Sequence, residues 1–280
     1  MTLDEQISKD LSELYASGEI SSAKELSPLI TVSCKGLPQH FVGDRNAKTV
    51  FVMLNPGKDA SKSDTDFSDL TTGYCRTNAK TFIESYLRAM TEFGKDDCSH
   101  PDPFDVKQAA FLKPWKNSGI KLPTNFPQDK ESFRAAKEAV LTQKLQLELI
   151  PYCSSTFKLN RAEIKNLFPF VEILLDEIFK KKRTAVIFGS RLFENVFKAY
   201  NRAKGFCIDL SAEKVNSGAL GPGMKISGNC RPVTLCWNGK TQKALIAHTI
   251  ASQALCNAPH LMLAYGKFCY EQFTNFAPMP

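Results

Sequence analysis

The chain has 280 residues, of which 43% are hydrophobic and 23% are charged. This length and composition are typical of one large globular domain or two small ones, which excludes a disordered or low-complexity protein. Its 36 lysines and arginines outnumber its 29 aspartates and glutamates and give a net charge of +7. That surplus is compatible with a polyanionic partner but does not require one.

Targeting and redox signals are sparse in this sequence. No apolar run reaches the roughly 18 residues that a membrane helix needs, and the acidic N-terminus MTLDEQISKDLSELY is unlike a secretory signal. The nine cysteines are scattered, and no two have the C-x-x-C spacing. Because zinc and cluster sites use ligands paired closely in sequence, we predict no metal and no cofactor. An odd number of cysteines without a signal favours reduced thiols in the cytoplasm.

The first elements are two short helices and a strand. Apolar spacing predicts helices at 3–16 and 23–27, and Pro28 is expected to end the second. The apolar run VFVML at 50–54 predicts a short strand buried on both faces.

A stiff turn follows this strand at Asn55-Pro56-Gly57. Pro56 lacks a donor for the strand ladder, and Gly57 tolerates positive φ. We expect the turn to present Asn55 at the carboxyl end of the strand, which is where open parallel sheets bind ligands. A strand-ending turn without chemistry is the alternative.

The middle of the chain is predicted to alternate loops with helices. Residues 58–78 are polar and turn-rich, so we expect an exposed loop. A helix capped by Thr77 or Asn78 is predicted at 79–93. Residues 94–128 carry five prolines and indicate an irregular insertion whose apolar residues still need burial, and a helix is predicted at 130–142.

The second half repeats the plan of a strand followed by a polar loop. Strands are predicted at 145–150, 184–188 and 242–247, and they end at Pro151, at Gly189-Ser190 and at His248. The last of them forms a hairpin with 232–237 around Asn238-Gly239, which is a strong turn signal. The remaining elements are predicted as a helix at 161–182 kinked near Pro169, a helix at 192–203, a Gly-rich irregular insertion at 205–231, and a final helix capped by Asn257.

Strands that alternate with helices along the whole length predict a single α/β domain over 1–280. We expect a three-layer α/β/α sandwich with a central, mostly parallel four-stranded sheet. In a parallel sheet the four strand endings lie along one edge, so the sequence predicts one site assembled from four loops.

Three of these endings resemble motifs of the uracil-DNA glycosylase superfamily. Leu54-Asn55-Pro56-Gly57 resembles the first motif of the branch whose strand ends in Asn-Pro-Gly. Residues 186–190, VIFGS, resemble the strand and Gly-Ser loop that grips DNA phosphates, and 244–249, ALIAHT, resemble the second motif. The resemblance implies a monomeric enzyme that flips a nucleotide from double- or single-stranded DNA and hydrolyses its N-glycosidic bond without a metal.

The resemblance also implies roles for individual residues. Asn55 would orient the attacking water, since an amide does not accept a proton at neutral pH, and His248 would donate a hydrogen bond to a carbonyl of the departing base. Phe67, with Tyr74 in reserve, would stack on the base, and Pro56 and Gly57 would line its pocket. Residues expected to meet DNA are Lys58, Ser154, Ser155, Gly189, Ser190, Thr249 and Ile250.

Several of these residues have alternative roles. His248 alone would more often be a structurally bonded imidazole, and Ile250 or Leu255 is as readily a packing residue as a wedge in the flipped-base gap. Thr249 and Ile250 stand where the family motif continues with Pro-Ser. This departure favours a catalytically silent DNA-binding or interaction module on the same fold.

Glu148 stands near the end of the second strand, where uracil-specific members of the family place an asparagine. A carboxylate accepts from an exocyclic amine but repels the carbonyl of uracil. If Glu148 faces the pocket, the base carries an amino group, and we favour a modified cytosine such as the glucosylated hydroxymethylcytosine of phage DNA, which similar bacterial defence glycosylases remove. A conventional uracil repair enzyme, with Glu148 paired to a lysine or a helix N-terminus, is the alternative.

Overall fold

The computed structural model describes residues 1–30, 32–54, 74, 77–92, 103–129, 131–154, 161–220, 227–248, 250 and 258–277, with backbone alone at 27–30, 103, 161–163 and 227. Its α-helices are α1 (Leu3–Ser17), α2 (Ser21–Ile30), α3 (Ala79–Thr91), α4 (Pro103–Leu112), α5 (Ser132–Gln143), α6 (Phe168–Phe179), α7 (Leu192–Lys204) and α8 (Pro259–Asn275). A 3₁₀ helix at Arg161–Leu167 precedes α6.

The strands of the described ranges form one mixed sheet. They are β1 (Phe41–Gly43), β2 (Thr49–Met53), β3 (Lys144–Glu148), β4 (Ala185–Phe188), β5 (Ile208–Asp209), β6 (Val215–Ala219), β7 (Ser227–Trp237) and β8 (Lys240–Ala247). Their order is β1-β3-β2-β4-β8-β7-β5, and β6 pairs with β7. The four predicted strands are thus neighbours, β3-β2-β4-β8. The predicted α/β class with mostly parallel central strands is confirmed, although the sheet has eight strands rather than four.

Backbone contacts divide the chain into two compact units. The first comprises Met1–Val42, Met53–Glu92 and Leu147–Lys180, and the second comprises Gly43–Val52, Phe93–Gln146 and Lys181–Pro280. The single domain over 1–280 stays a prediction.

In the second unit, helices cover both faces of the sheet. Ile187 of β4 belongs to a buried cluster that includes Phe111 of α4 and Tyr265 of α8. Phe188, the next residue of β4, points to the opposite face because strand side chains alternate. There its ring lies 5.0 Å from the ring of Phe193 on α7. The second unit therefore has the helix–sheet–helix layers that the sequence predicts.

A glycine permits the close packing of α4 against α8. A Cβ on Gly266 would come within 2.1 Å of the carbonyl oxygen of Phe111. The Trp115 indole also donates to the Gly266 carbonyl at 3.1 Å, so this approach is held by a hydrogen bond as well as by packing.

The predicted irregular insertion at 94–128 is wrong in part, because it contains α4 (Pro103–Leu112). Val106, Ala109 and Ala110 are buried, and so are Phe111 and Leu112. A helix that is apolar around most of its circumference shows no amphipathic period, so its proline-rich flanks dominated the sequence pattern. The predicted burial of Trp115 is confirmed.

The insertion predicted at 205–231 is also more regular than expected. It holds β5 and β6, and β7 begins at Ser227 rather than Pro232. Strand β6 is largely exposed and contains a glycine, Gly218, with a φ of 68°. Its residues VNSGA carry little of the β-branched or apolar alternation that identifies a strand.

Two prolines act differently from the prediction, whereas the hairpin agrees with it. Helix α2 continues through Pro28 to Ile30 instead of ending there. Pro169 lies in the first turn of α6, where the missing donor costs nothing, and the 3₁₀ helix ends before it. The hairpin turn is confirmed by positive φ values at Asn238 (49°) and Gly239 (72°).

None of the described helices is both long and apolar enough to cross a bilayer. Within the described ranges, no three His, Cys, Asp or Glu side chains are grouped as metal ligands would be. The cysteines with described positions are free thiols.

Candidate active site

Parallel pairing aligns the carboxyl ends of three central strands. Val52 of β2 pairs with Phe188 of β4, and Phe188 pairs with Ile246 of β8. Gly189 and His248, which follow β4 and β8, therefore lie at the same edge of the sheet. The Gly189 amide donates to the Val52 carbonyl at 2.9 Å. This amide is used within the sheet rather than presented to a ligand.

The first motif, the predicted stacking residue and part of the DNA contacts lie outside the described residues. They are Asn55, Pro56, Gly57, Lys58, Phe67, Ser155 and Thr249. The roles expected of them stay predictions.

His248 begins the loop after β8 and is held at two points. Its backbone amide donates to the Asn229 carbonyl of β7 at 3.0 Å. Its ring nitrogen Nε2 lies 2.6 Å from Oε1 of Glu194, and only 6% of the side chain is exposed. The imidazole is therefore fixed in one orientation.

Glu194 lies in the first turn of α7 and forms an ion pair with Arg231 of β7. The Nε atom of Arg231 is 3.2 Å from the same carboxylate oxygen that meets His248. A second guanidinium nitrogen of Arg231 donates to the Leu210 carbonyl at 2.9 Å. Glu194 of α7, Arg231 of β7 and His248 after β8 thus form a polar triad, named the edge triad here.

The electrostatics of the edge triad favour a neutral histidine. Burial lowers the pKa of the His248 imidazole below its ordinary value of 6.5, Glu194 acts in the opposite direction, and Lys214 and Arg231 lower the pKa further. The net direction is downward, so the ring is unprotonated at neutral pH. A neutral imidazole next to an accepting carboxylate carries its proton on the nitrogen that faces the carboxylate.

The Gly189-Ser190 loop leads directly into the helix that carries Glu194. The Ser190 hydroxyl accepts from the Leu192 amide at 3.2 Å, and the Ser190 carbonyl accepts from the Phe193 amide at 3.3 Å. Ser190 is half-buried. Its observed contacts are those of a residue that starts a helix and so fixes the first turn of α7.

Ile250 is fully buried in the apolar cluster of the second unit, together with Ala247 and Leu261. Of the two predicted roles of Ile250, packing and a wedge in the flipped-base gap, the structure shows packing. A wedge role would require the side chain to leave the core.

In the first unit, Glu148 is buried with 5% of its surface exposed. Its amide lies 3.5 Å from the His40 carbonyl. Strand alternation places it on the face of β3 that carries Lys144 and Gln146, whose side chains bond to each other at 3.0 Å. This face of β3 is polar and buried along its whole length, which the sequence did not indicate.

Tyr152, in the loop after β3, is anchored by a buried network. Its hydroxyl donates to Oδ2 of Asp10 on α1 at 2.8 Å, and His40 Nε2 lies 3.2 Å from the same oxygen. The Gln6 amide donates to Asp10 Oδ1 at 2.7 Å. We call Gln6, Asp10, His40 and Tyr152 the clamp network. A main-chain hydrogen bond lies next to the clamp network: the Gln39 amide donates to the Pro151 carbonyl at 2.7 Å.

Two further predicted site residues of the first unit, Ser154 and Tyr74, differ in burial. Ser154 is buried. Tyr74 is half-buried, and its ring meets the Phe82 ring edge-on at 6.1 Å. Burial raises the pKa of the Tyr74 phenol.

Sequence reasoning missed Glu194 and Arg231. The available signal was the position of Glu194 in α7, where it is buried between the buried residues Phe193 and Val196. A carboxylate on the apolar face of a helix needs a donor nearby, which predicts a partner without identifying it.

Comparison with known proteins places no further constraint on the site. The sequence matches no protein-family model and no curated protein.

Proposed function

We propose that this protein is a DNA glycosylase that hydrolyses the N-glycosidic bond of a flipped-out modified pyrimidine and leaves an abasic site. The observation that carries the proposal is the position of His248. This histidine ends a parallel strand at the carboxyl edge of the sheet, with its ring buried and held 2.6 Å from Glu194. Parallel α/β sheets bind ligands at this edge.

The chemistry of base removal fits the residue types predicted at the strand endings. The sugar becomes cationic as the bond breaks and the base departs as an anion, so the enzyme needs a positioned water and a preorganised polar group. Asn55 supplies the water-orienting amide, and the edge triad supplies a rigid titratable group. The net charge of +7 favours a polyanionic substrate.

The favoured substrate is DNA that carries a modified cytosine, such as glucosylated hydroxymethylcytosine. The support is Glu148, a carboxylate buried near the end of β3 with 5% exposure. A buried carboxylate selects a base edge that offers an amino group and rejects one that offers a carbonyl.

The test is abasic-site formation by the purified full chain. Oligonucleotides carrying glucosylated hydroxymethylcytosine, hydroxymethylcytosine, cytosine or uracil are offered as single and double strands. We expect cleavage of the modified cytosines and loss of turnover with retained DNA binding in Asn55→Ala. Asn201→Ala serves as the amide control, since Asn201 bonds the Ile208 carbonyl away from the strand endings.

Two other outcomes would each indicate a different function. Release of uracil alone indicates a repair glycosylase and removes the role of Glu148. DNA binding without release of any base, unchanged in Asn55→Ala, indicates a silent binding module and overturns the proposal.

A further inference from the structure

Hydrolysis of an N-glycosidic bond moves a proton from the attacking water to an acceptor, and a protein side chain placed to accept it accelerates the reaction. The C1′–N bond breaks and its electron pair leaves with the base, while the water oxygen bonds to C1′ and loses one proton. The departing base finally takes up a proton, so the overall reaction consumes one water. Asn55 orients the water in the proposed mechanism, but its amide does not accept the proton at neutral pH.

The geometry of the edge triad assigns the two nitrogens of His248 different roles. Nε2 faces Oε1 of Glu194 at 2.6 Å. A carboxylate oxygen only accepts, so Nε2 carries the hydrogen, and the other nitrogen of a neutral imidazole is then an acceptor. Within the ranges that the structure describes, no residue bonds to Nδ1.

We propose that Glu194 and His248 form a carboxylate–imidazole dyad in which Nδ1 of His248 takes the proton of the attacking water, with Glu194 as the positioning residue. This inference rests on the proposed glycosylase function. It reverses the role that the family resemblance implies for the histidine, from a donor to the departing base to an acceptor for the water.

Among the described residues, three charged groups act on the His248 ring: Glu194, Lys214 and Arg231. Glu194 on α7 stabilises the imidazolium that forms when the proton arrives. Burial disfavours the imidazolium most and lowers the pKa of the resting ring, and Lys214 between β5 and β6 and Arg231 on β7 act in the same direction. Arg231 Nε also lies 3.2 Å from the Glu194 oxygen, so its positive charge stabilises the carboxylate electrostatically. A carboxylate that fixes the tautomer and stabilises the imidazolium is a known way to use histidine as a base.

The tautomer can be measured without any substrate. The chain has four histidines, and ¹⁵N NMR of the full-length protein, assigned with His248→Gln, reports the proton of each ring nitrogen. We expect His248 at neutral pH to be protonated on Nε2 and unprotonated on Nδ1. An imidazolium at neutral pH, or a proton on Nδ1, overturns the proposal whatever the enzyme does.

The catalytic part is tested by the pH dependence of single-turnover base release. For the unmodified protein we expect the rate to rise with pH through the lowered pKa of His248 and then to level off. In His248→Gln the rate of base release should fall by on the order of 10²- to 10⁴-fold, the usual contribution of a general base. The rise of the rate with pH at the acidic side, called the acid limb here, should also disappear. Glu194→Gln should move the acid limb to lower pH, because the carboxylate raises the histidine pKa.

Glu177→Gln is the matched control for Glu194→Gln. Glu177 is also a buried helix carboxylate, bonded to Lys180 at 2.8 Å on α6, and we expect neither the limb nor the plateau to move. Base release with an unchanged acid limb in His248→Gln overturns the base role and leaves the glycosylase function intact. Absence of base release by the unmodified protein from every substrate overturns the proposed function and the base role together.

Discussion

The described part of the chain contains two buried histidine–carboxylate pairs that share the same chemistry but differ in their surroundings. His40 lies 3.2 Å from Asp10, with side-chain exposures of 2% and 0%. His248 lies 2.6 Å from Glu194, with exposures of 6% and 10%. The first pair belongs to the clamp network of the first unit, and the second belongs to the edge triad of the second unit.

The partners of each carboxylate explain the difference in role. Asp10 accepts from Gln6 and from Tyr152 in addition to lying next to His40, so two neutral donors hold it. Glu194 instead shares one oxygen between a histidine and the guanidinium of Arg231. A carboxylate enclosed by neutral donors stabilises a fold, whereas one backed by a cation at a strand ending can hold a histidine ready for chemistry.

The largest expected contrast is in turnover. His248→Gln should reduce base release by on the order of 10²- to 10⁴-fold while leaving the thermal midpoint nearly unchanged, since glutamine keeps a donor near Glu194. His260→Gln on α8 is the control, because His260 is exposed and should be neutral for both properties. Single-turnover kinetics and a thermal melt measure the two effects. Unfolding of His248→Gln would place His248 among the structural residues with His40.

Variants of the clamp network should affect stability, whereas His248→Gln affects turnover. Asp10→Ala leaves the donors of Gln6 and Tyr152 without their shared acceptor, and we expect a loss of about 1–3 kcal/mol in the free energy of unfolding for each of these two donors. Urea denaturation measures it. Asp4→Ala on the same helix is the control, because the Asp4–Lys180 pair is largely exposed and contributes about 0–1 kcal/mol. Equal effects of the two variants would contradict the structural role of the clamp network.

A single hydroxyl tests the same network more finely. Tyr152→Phe removes the bond to Asp10 without creating a large cavity, so we expect the free energy of unfolding to fall by about 1–3 kcal/mol. Tyr270→Phe is the matched control, since Tyr270 packs its ring 5.5 Å from that of Trp115 and should lose little. Urea midpoints of the two variants compare them, and a neutral Tyr152→Phe would show that the bond contributes nothing.

The smallest effect is the pH dependence of stability. The folded pKa of His248 lies below its ordinary value of 6.5 because of burial, so below that pH the unfolded chain binds more protons than the native state. Stability should therefore fall as pH drops, and His248→Gln should weaken this dependence. Urea midpoints at about pH 7.5 and about pH 5.5 measure it. An unchanged slope relative to His260→Gln would indicate that His248 titrates normally.

Much of the fold follows from local signals, and much of the site does not. The strands at 50–54 and 184–188 and the Asn238-Gly239 hairpin were predictable, since apolar runs and turn residues act over a few positions. Helix α4 was not, because its burial leaves no polar face to give a period. Glu194 and His248 are 54 residues apart, and only the sheet order brings α7 beside the end of β8.

The most direct test of the account is base release from DNA by the purified protein. We expect abasic sites in DNA that carries glucosylated hydroxymethylcytosine, no release of uracil, and loss of turnover in both Asn55→Ala and His248→Gln with DNA binding retained. Intact glycosidic bonds in every substrate, at protein concentrations that saturate DNA binding, would contradict it.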